Sequence, residues 1–354
     1  MSYIFPRVKH KVIDGHLHIY DWKDEAGKDF FHCFEEYRNE MGLAGLNLCA
    51  LPSGYGSDVT SNLMCAVYKL INKETYAHAG LLYDKYPMGE KLPDGMDFVT
   101  QLNELEKIGF DGIKMLEGKP TLNRTIGKNL LNVEHDRFFA EAEKRGTHII
   151  FHVNDPKEFW ENEGGDYYGD DTFASHEELY RQAYAILDAH PDLCVTFAHF
   201  FFKSEKPQEI AEMFEKYPNV CVDLTPGWEM YLSFYKDKEF FKSFFEKYSK
   251  RIILGTDAYY PRSSESSMWL IDRVYRFLSS ADIVKAVADR FESGLCICEE
   301  ALNDIVCGNF ERRVGTQPKE INKQALKAYY LKYKRLMTEK DIAYVDEVFS
   351  KFGI

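Results

Sequence analysis

Short apolar runs recur along this chain about every 30 residues, with amphipathic stretches between them. That rhythm limits the fold more than any other feature. It predicts strands over 12–19, 45–51, 76–83, 109–117, 147–153, 193–199, 220–224 and 251–255. Between them the 3.6-residue spacing of apolar side chains predicts helices over 30–43, 58–72, 96–108, 133–145, 175–189, 206–216 and 239–248. Ser175 with Glu178 three residues on is a plausible helix start. The strands are apolar nearly throughout, as expected of a parallel sheet covered on both faces. Eight such units suit a closed (β/α)8 (TIM) barrel of the α/β class. An open doubly wound sheet competes, but no Gly-x-Gly-x-x-Gly follows the first strand. Further helices are predicted over 265–278, 281–288 and 298–308. The expected division is a barrel over 1–315 and a C-terminal helical extension over 316–354.

Composition narrows the partners. The 354 residues carry a net charge of -13, with a pI near 5.4. A nucleic-acid binder would need a basic face, and anionic membrane surfaces are disfavoured for the same reason. Neither a signal peptide nor an apolar run of membrane-spanning length is recognisable. The eight cysteines mostly fall inside apolar patterns and read as small buried hydrophobes in a reducing cytoplasm. Cys296-x-Cys298 lacks a second pair or a nearby histidine, so it does not read as a zinc knuckle.

In such barrels the reacting groups lie at the C-terminal ends of the strands. His16 and His18 end the first strand, in Asp14-Gly15-His16-Leu17-His18. Side chains alternate along a strand, so the two imidazoles share a face. His152 ends the fifth strand, His199 the sixth and Asp257 the eighth. Four of 11 histidines therefore fall at one predicted face, together with a carboxylate. Imidazoles and a carboxylate are ligands for a divalent transition metal that keeps an open position. The bland readings are incidental strand-end polar residues, a hydrogen-bonded core histidine, and, for Asp257, a helix cap. Asp14 lies on the same face and is expected to orient a ligand imidazole. His78 falls mid-strand and reads as structural. Lys114, Glu117, Arg124 and Trp228 are candidate substrate contacts around the mouth. Tyr20, Trp22, Asn154 and Tyr259 are further mouth candidates, and the insertion 154–171 is placed as a lid, a rigid excursion or an oligomer contact.

These pieces, with Gly112-Ile113-Lys114, Ala198-His199, Gly255-Thr256-Asp257 and Ile305-Val306-Cys307-Gly308-Asn309-Phe310, resemble the amidohydrolase superfamily. Within it the likeness is to the amidohydrolase-related family of small metal-dependent hydrolases and non-oxidative decarboxylases, over about residues 12–315. The resemblance implies one divalent ion, zinc by preference with manganese or iron as alternatives, held by His16, His18, His152 and Asp257. It implies His199 as a neighbouring catalytic or ligating residue. Binuclear members of the superfamily carbamylate a lysine near the place of Lys114. The narrower family works with one metal, so Lys114 is expected to contact a substrate carboxylate or phosphate, or to form a salt bridge to Asp111 or Glu117.

The leading expectation is a cytoplasmic hydrolase in which metal-activated water attacks an amide, lactone or ester-like bond of a small polar substrate, possibly a carboxylate. Asp257 would serve as proton acceptor and His199 would stabilise the oxyanion. The alternatives are a decarboxylase of an aromatic or enoic acid using the same ligands, and an inactive binding barrel. The C-terminal extension leaves a homo-oligomer open.

Overall fold

The computed structural model describes residues 5–19, 21–22, 30–51, 58–83, 97–161, 167–260, 264–285 and 291–354. Nine strands form one parallel sheet: β1 (Ile13–Ile19), β2 (Gly45–Cys49), β3 (Thr75–Gly80), β4 (Gly112–Gly118), β5 (His148–Val153), β6 (Val195–Phe197), β7 (Val220–Asp223), β8 (Ile252–Ile253) and β9 (Ala258–Tyr260). Their order is β8-β7-β6-β5-β4-β3-β2-β1-β9. Strands β1 to β7 are buried along their whole length, which is why their sequences are apolar without alternation.

The eighth barrel strand is split. Its first part, β8, pairs with β7, and its continuation, β9, pairs with β1. Only Leu254–Asp257 separates the two parts, so the sheet closes on itself through four residues of chain. The closure depends on close backbone approach. Gly15 N donates to Leu254 O at 3.1 Å, and a Cβ on Gly15 would lie 2.8 Å from that oxygen. A Cβ on Gly255 would lie 2.9 Å from the Cβ of His16.

The predicted helices are present with small boundary shifts, and Ser175 accepts from Glu178 N as a helix cap. One predicted element is corrected, and two helices lie where none is predicted. In the described part of the helix predicted over 281–288 a strand stands instead, Ile283–Lys285, pairing antiparallel with Phe291–Ser293, while 286–288 lie outside the described residues. The β-branched Ile283-Val284 pair favours extended backbone. The polar loop after β4 contains the helix Pro120–Thr125, with proline in its first turn where the missing N–H costs nothing. An unforeseen helix, Trp228–Lys236, follows β7.

One continuous apolar core joins the sheet to its helices. The C-terminal helices Lys323–Tyr333 and Glu339–Phe352 belong to it through Leu326, Tyr329, Tyr330, Tyr333 and Val345. Asn322 N bonds Ile108 O, and Tyr333 OH bonds Glu104, so the extension seats on the outer helices. Among the described residues no helix is long and apolar enough to cross a membrane.

Candidate metal centre

The strand-end residues of β1 and the eighth strand converge. His16 Nε2 lies 3.1 Å from His18 Nε2. Asp257 Oδ1 lies 3.2 Å from His18 Nε2 and 3.9 Å from His16 Nε2. Both imidazoles are buried, whereas the Asp257 side chain is 38% exposed and faces the mouth.

Partners on the far side of each ring fix its proton. His16 Nδ1 donates to Asp223 Oδ2 at 2.8 Å, and His18 Nδ1 donates to the Cys49 carbonyl at 2.7 Å. Both Nε2 lone pairs are then turned toward each other and toward a carboxylate oxygen. Three lone-pair donors within 4.8 Å of one another call for positive charge among them; Lys114 Nζ, 3.0 Å from His16 Nε2, meets one of the three, and a divalent cation would meet them all. Burial, followed by the nearby Lys114 charge, pushes His16 down to about 3. It is therefore the neutral ring that a metal requires. The donor set fits a divalent cation.

His199 and His152 continue the arc. The His199 ring centroid is 6.1 Å from that of His16 and 4.9 Å from that of His152. His199 is held by its backbone N–H to Asp223 Oδ1 and by Thr225. His152 lies outside the tight group of three, with Nε2 3.1 Å from Asp155 Oδ1. Burial and then the Lys119 charge push His152 down to about 3. Asp155 also accepts from both Lys119 and Tyr168. Against the effect of burial, Lys119 and His152 hold its carboxyl down to about 2.

The orienting carboxylate is a correction. Asp14 does not touch an imidazole; its oxygens accept from Thr256 N, Thr256 Oγ1, Tyr37 OH and His16 N. It ties β1 to the loop that carries Asp257, and burial raises it to about 6. Asp223 orients His16 instead. The signal was available, because Asp223 ends the seventh strand as Asp257 follows the eighth. Asp155 had no comparable signal, since its role arises from Lys119 and His152 reaching it in space.

The candidate substrate contacts separate. Lys114 is buried with Nζ 3.0 Å from His16 Nε2, while the ion pair with Asp111 is made by Lys69. Glu117 sits in a different cluster. Its Oε1 accepts from Tyr83 OH at 2.8 Å, Tyr83 OH lies 3.3 Å from His135 Nε2, and its Oε2 has no partner among the described residues. Burial pushes its carboxyl up to about 7. Arg124 is exposed, with its guanidinium 4.3 Å from the Phe173 ring centroid. Trp228 opens the helix after β7; its side chain lies outside the described residues, as does all of Tyr20. Trp22 packs on Tyr344 at 4.5 Å, and Asn154 bonds His176 O. Tyr259 lies half-buried on β9. His78 is buried in a ladder with Asn47 and His148 below the centre. Of the insertion, residues 162–166 lie outside the described ones.

A candidate cation site at the C-terminal mouth of a (β/α)8 barrel is the arrangement that metal-dependent enzymes of this fold use. The family is more specific. The model described as Amidohydrolase matches residues 92–288, and the chain belongs to that family. His16 and His18 precede the matched stretch, so their assignment rests on the geometry. Similar solved structures include a "probable 2-pyrone-4,6-dicarboxylic acid hydrolase" from Acinetobacter baumannii with citric acid bound. That pair shares 14% identity with a TM-score of 0.51, over 86% of this chain and 99% of the other. A 2,6-dihydroxybenzoate decarboxylase from Rhizobium gives 13% and 0.52, over 86% and 98%. A 5-carboxyvanillate decarboxylase from Sphingomonas paucimobilis gives 11% and 0.53, over 86% and 99%. At these identities they establish the barrel fold. No curated protein sequence matches the chain.

Proposed function

We propose that this amidohydrolase-family enzyme holds one divalent ion, zinc by preference, on His16, His18 and Asp257. It would hydrolyse an amide, lactone or ester-like bond of a small polar substrate. The observation that carries the reading is the pair of inward Nε2 lone pairs 3.1 Å apart beside the Asp257 carboxylate. Bound there, the ion supplies Lewis acidity and lowers the pKa of water.

The protein's own groups do the rest. Asp223 and the Cys49 carbonyl keep His16 and His18 in the tautomer that offers Nε2. Asp257, at the open side, takes a proton at Oδ2, the oxygen turned away from the two imidazoles' ion site, and returns it to the leaving group. His199, oriented by Thr225 and within ring contact of His16, stabilises the oxyanion. His152 serves as a further ligand only once its Nε2 leaves Asp155. Lys114, beside His16, suits a substrate carboxylate. The eight free cysteines support a reducing, cytoplasmic setting.

Decarboxylation of an aromatic or enoic acid is the second reading. It uses the same residues, with Asp257 taking a proton from water and passing it to the carbon that loses CO2, and decarboxylases are among the proteins that share this barrel. Zinc-reconstituted protein tested on lactones, N-acyl amino acids and hydroxybenzoates separates the two. Proton release without CO2 is the expected result. CO2 release without net acid production replaces it with the second reading, and silence on all three classes by a zinc-loaded protein rejects both.

A further inference from the structure

After β6 the backbone does something that L-residues avoid. His199, Phe200, Phe201 and Phe202 follow one another with φ of 56°, 52°, 56° and 49°. This is a left-handed turn of the three-residue type, and it contains no glycine. Such geometry crowds Cβ against the next carbonyl oxygen, so the surroundings must hold it. Phe200 is buried against Phe234, Phe244 and Phe245, with centroids at 5.1, 6.0 and 6.1 Å. Phe201 is buried, stacks on Phe197 at 4.1 Å and accepts at its carbonyl from Tyr180 OH at 2.9 Å.

Phe202 is different. With three residues per turn, residues i and i+3 eclipse, so the turn brings Phe202 back over His199. Its ring centroid is 5.1 Å from that of His199, at an interplanar angle of 32°, and 5.4 Å from that of His152. Phe202 is half-buried while its two predecessors are buried. A strained backbone held by its surroundings at a site is a reason to ask what it positions. Here it positions a flat apolar face across two site imidazoles.

We propose that Phe202 is the specificity-determining wall of this site, selecting substrates whose carbon skeleton beside the polar reacting group is planar and unsaturated. The inference rests on reading the histidine arc as the active site. Aromatic faces stack on planar π systems and gain less from saturated rings of similar size.

The test uses full-length zinc-reconstituted protein and two probes of equal charge, benzoate and cyclohexanecarboxylate. Dissociation constants are measured by calorimetry for wild type, Phe202→Leu and Phe202→Ala, with zinc content determined for each. Phe202→Leu keeps apolar bulk should the alanine variant fold poorly. Wild type is expected to prefer benzoate. Phe202→Leu is expected to weaken benzoate about three- to tenfold, leave cyclohexanecarboxylate within about twofold and retain zinc. Absence of a benzoate preference in wild type, including no benzoate binding at millimolar concentration, overturns the proposal, as does a preference that survives in the leucine variant. The failures are separable. Stoichiometric zinc with a preference indifferent to residue 202 removes the wall and leaves the metal reading. A preference erased by Phe202→Leu in a protein that takes up no zinc removes the metal reading and leaves the wall.

Discussion

At the scale of single residues, the proton positions on His16 and His18 are the details on which the chemistry turns. A carboxylate and a carbonyl can only accept, so each Nδ1 must donate and each Nε2 must face the other. His16→Ala should therefore abolish stoichiometric zinc, read by elemental analysis; retained zinc would remove the residue from the ligand set. Asp223→Asn should weaken zinc by about tenfold or more with the fold kept, because an orienting partner raises ligand basicity. Metal competition titration measures this. Asp257→Asn should lower kcat about 100-fold or more on any substrate found, with KM little changed; undiminished turnover would reject its proton transfer. Glu117 gives a pH signature away from the centre. Its folded value is raised to about 7, against about 4.3 for an exposed glutamate. A raised value means stability that is full below about pH 4 and lost as pH rises through 7. Wild type should thus be less stable at pH 8 than at pH 5 by about 2–3 kcal/mol from this group, and Glu117→Gln should lose that part of the slope. Urea unfolding at the two pH values decides it. Asp155 and Asp223, held down to about 2, act in the opposite sense. Their contribution is present above about pH 4 and fades as pH falls through 2, outside this window.

At the scale of elements, the split eighth strand and the left-handed turn after β6 are where regular structure gives way to the site. Leu254–Asp257 leaves the ladder, Thr256 is caught by Asp14, and Asp257 adopts φ of 54°. The same departure at His199 and at Asn154, φ 73°, puts left-handed backbone at three strand mouths around one centre. Gly15 is the hinge of the closure. Gly15→Ala would drive a methyl against Leu254 O, where the gap is 2.8 Å. It should cost about 1–3 kcal/mol and lower zinc occupancy, measured by thermal unfolding and elemental analysis on the same sample. Unchanged unfolding and occupancy would mean that β1 and the eighth strand separate more easily than their hydrogen bonds suggest.

At the scale of the whole molecule, the proposed ligands come from both ends of the barrel sheet, so an ion held on them would couple metal binding to closure. Zinc in excess should raise the unfolding midpoint, by about 2.7 kcal/mol at a concentration 100 times the dissociation constant. Chelation should reverse the shift, and His16→Ala should show neither effect. Much of this architecture was legible in the chain. Eight apolar runs with both faces covered dictate a parallel barrel, and the strand-end rule pointed to His16, His18, His152, His199 and Asp257 because periodicity fixes which residues reach the mouth. It was silent on irregular backbone. The strand at Ile283–Lys285, the helix at Pro120–Thr125 and the three phenylalanines in left-handed geometry are decided by neighbours, not by local preference. The sequence by itself determined the barrel and the face on which its reactive groups stand, since both follow from periodicity along the chain. Only the tertiary structure decided that Asp223 orients His16, that Glu117 joins Tyr83 and His135, and that Phe202 lies over His199. Each of those contacts depends on the direction a side chain takes once distant segments have packed.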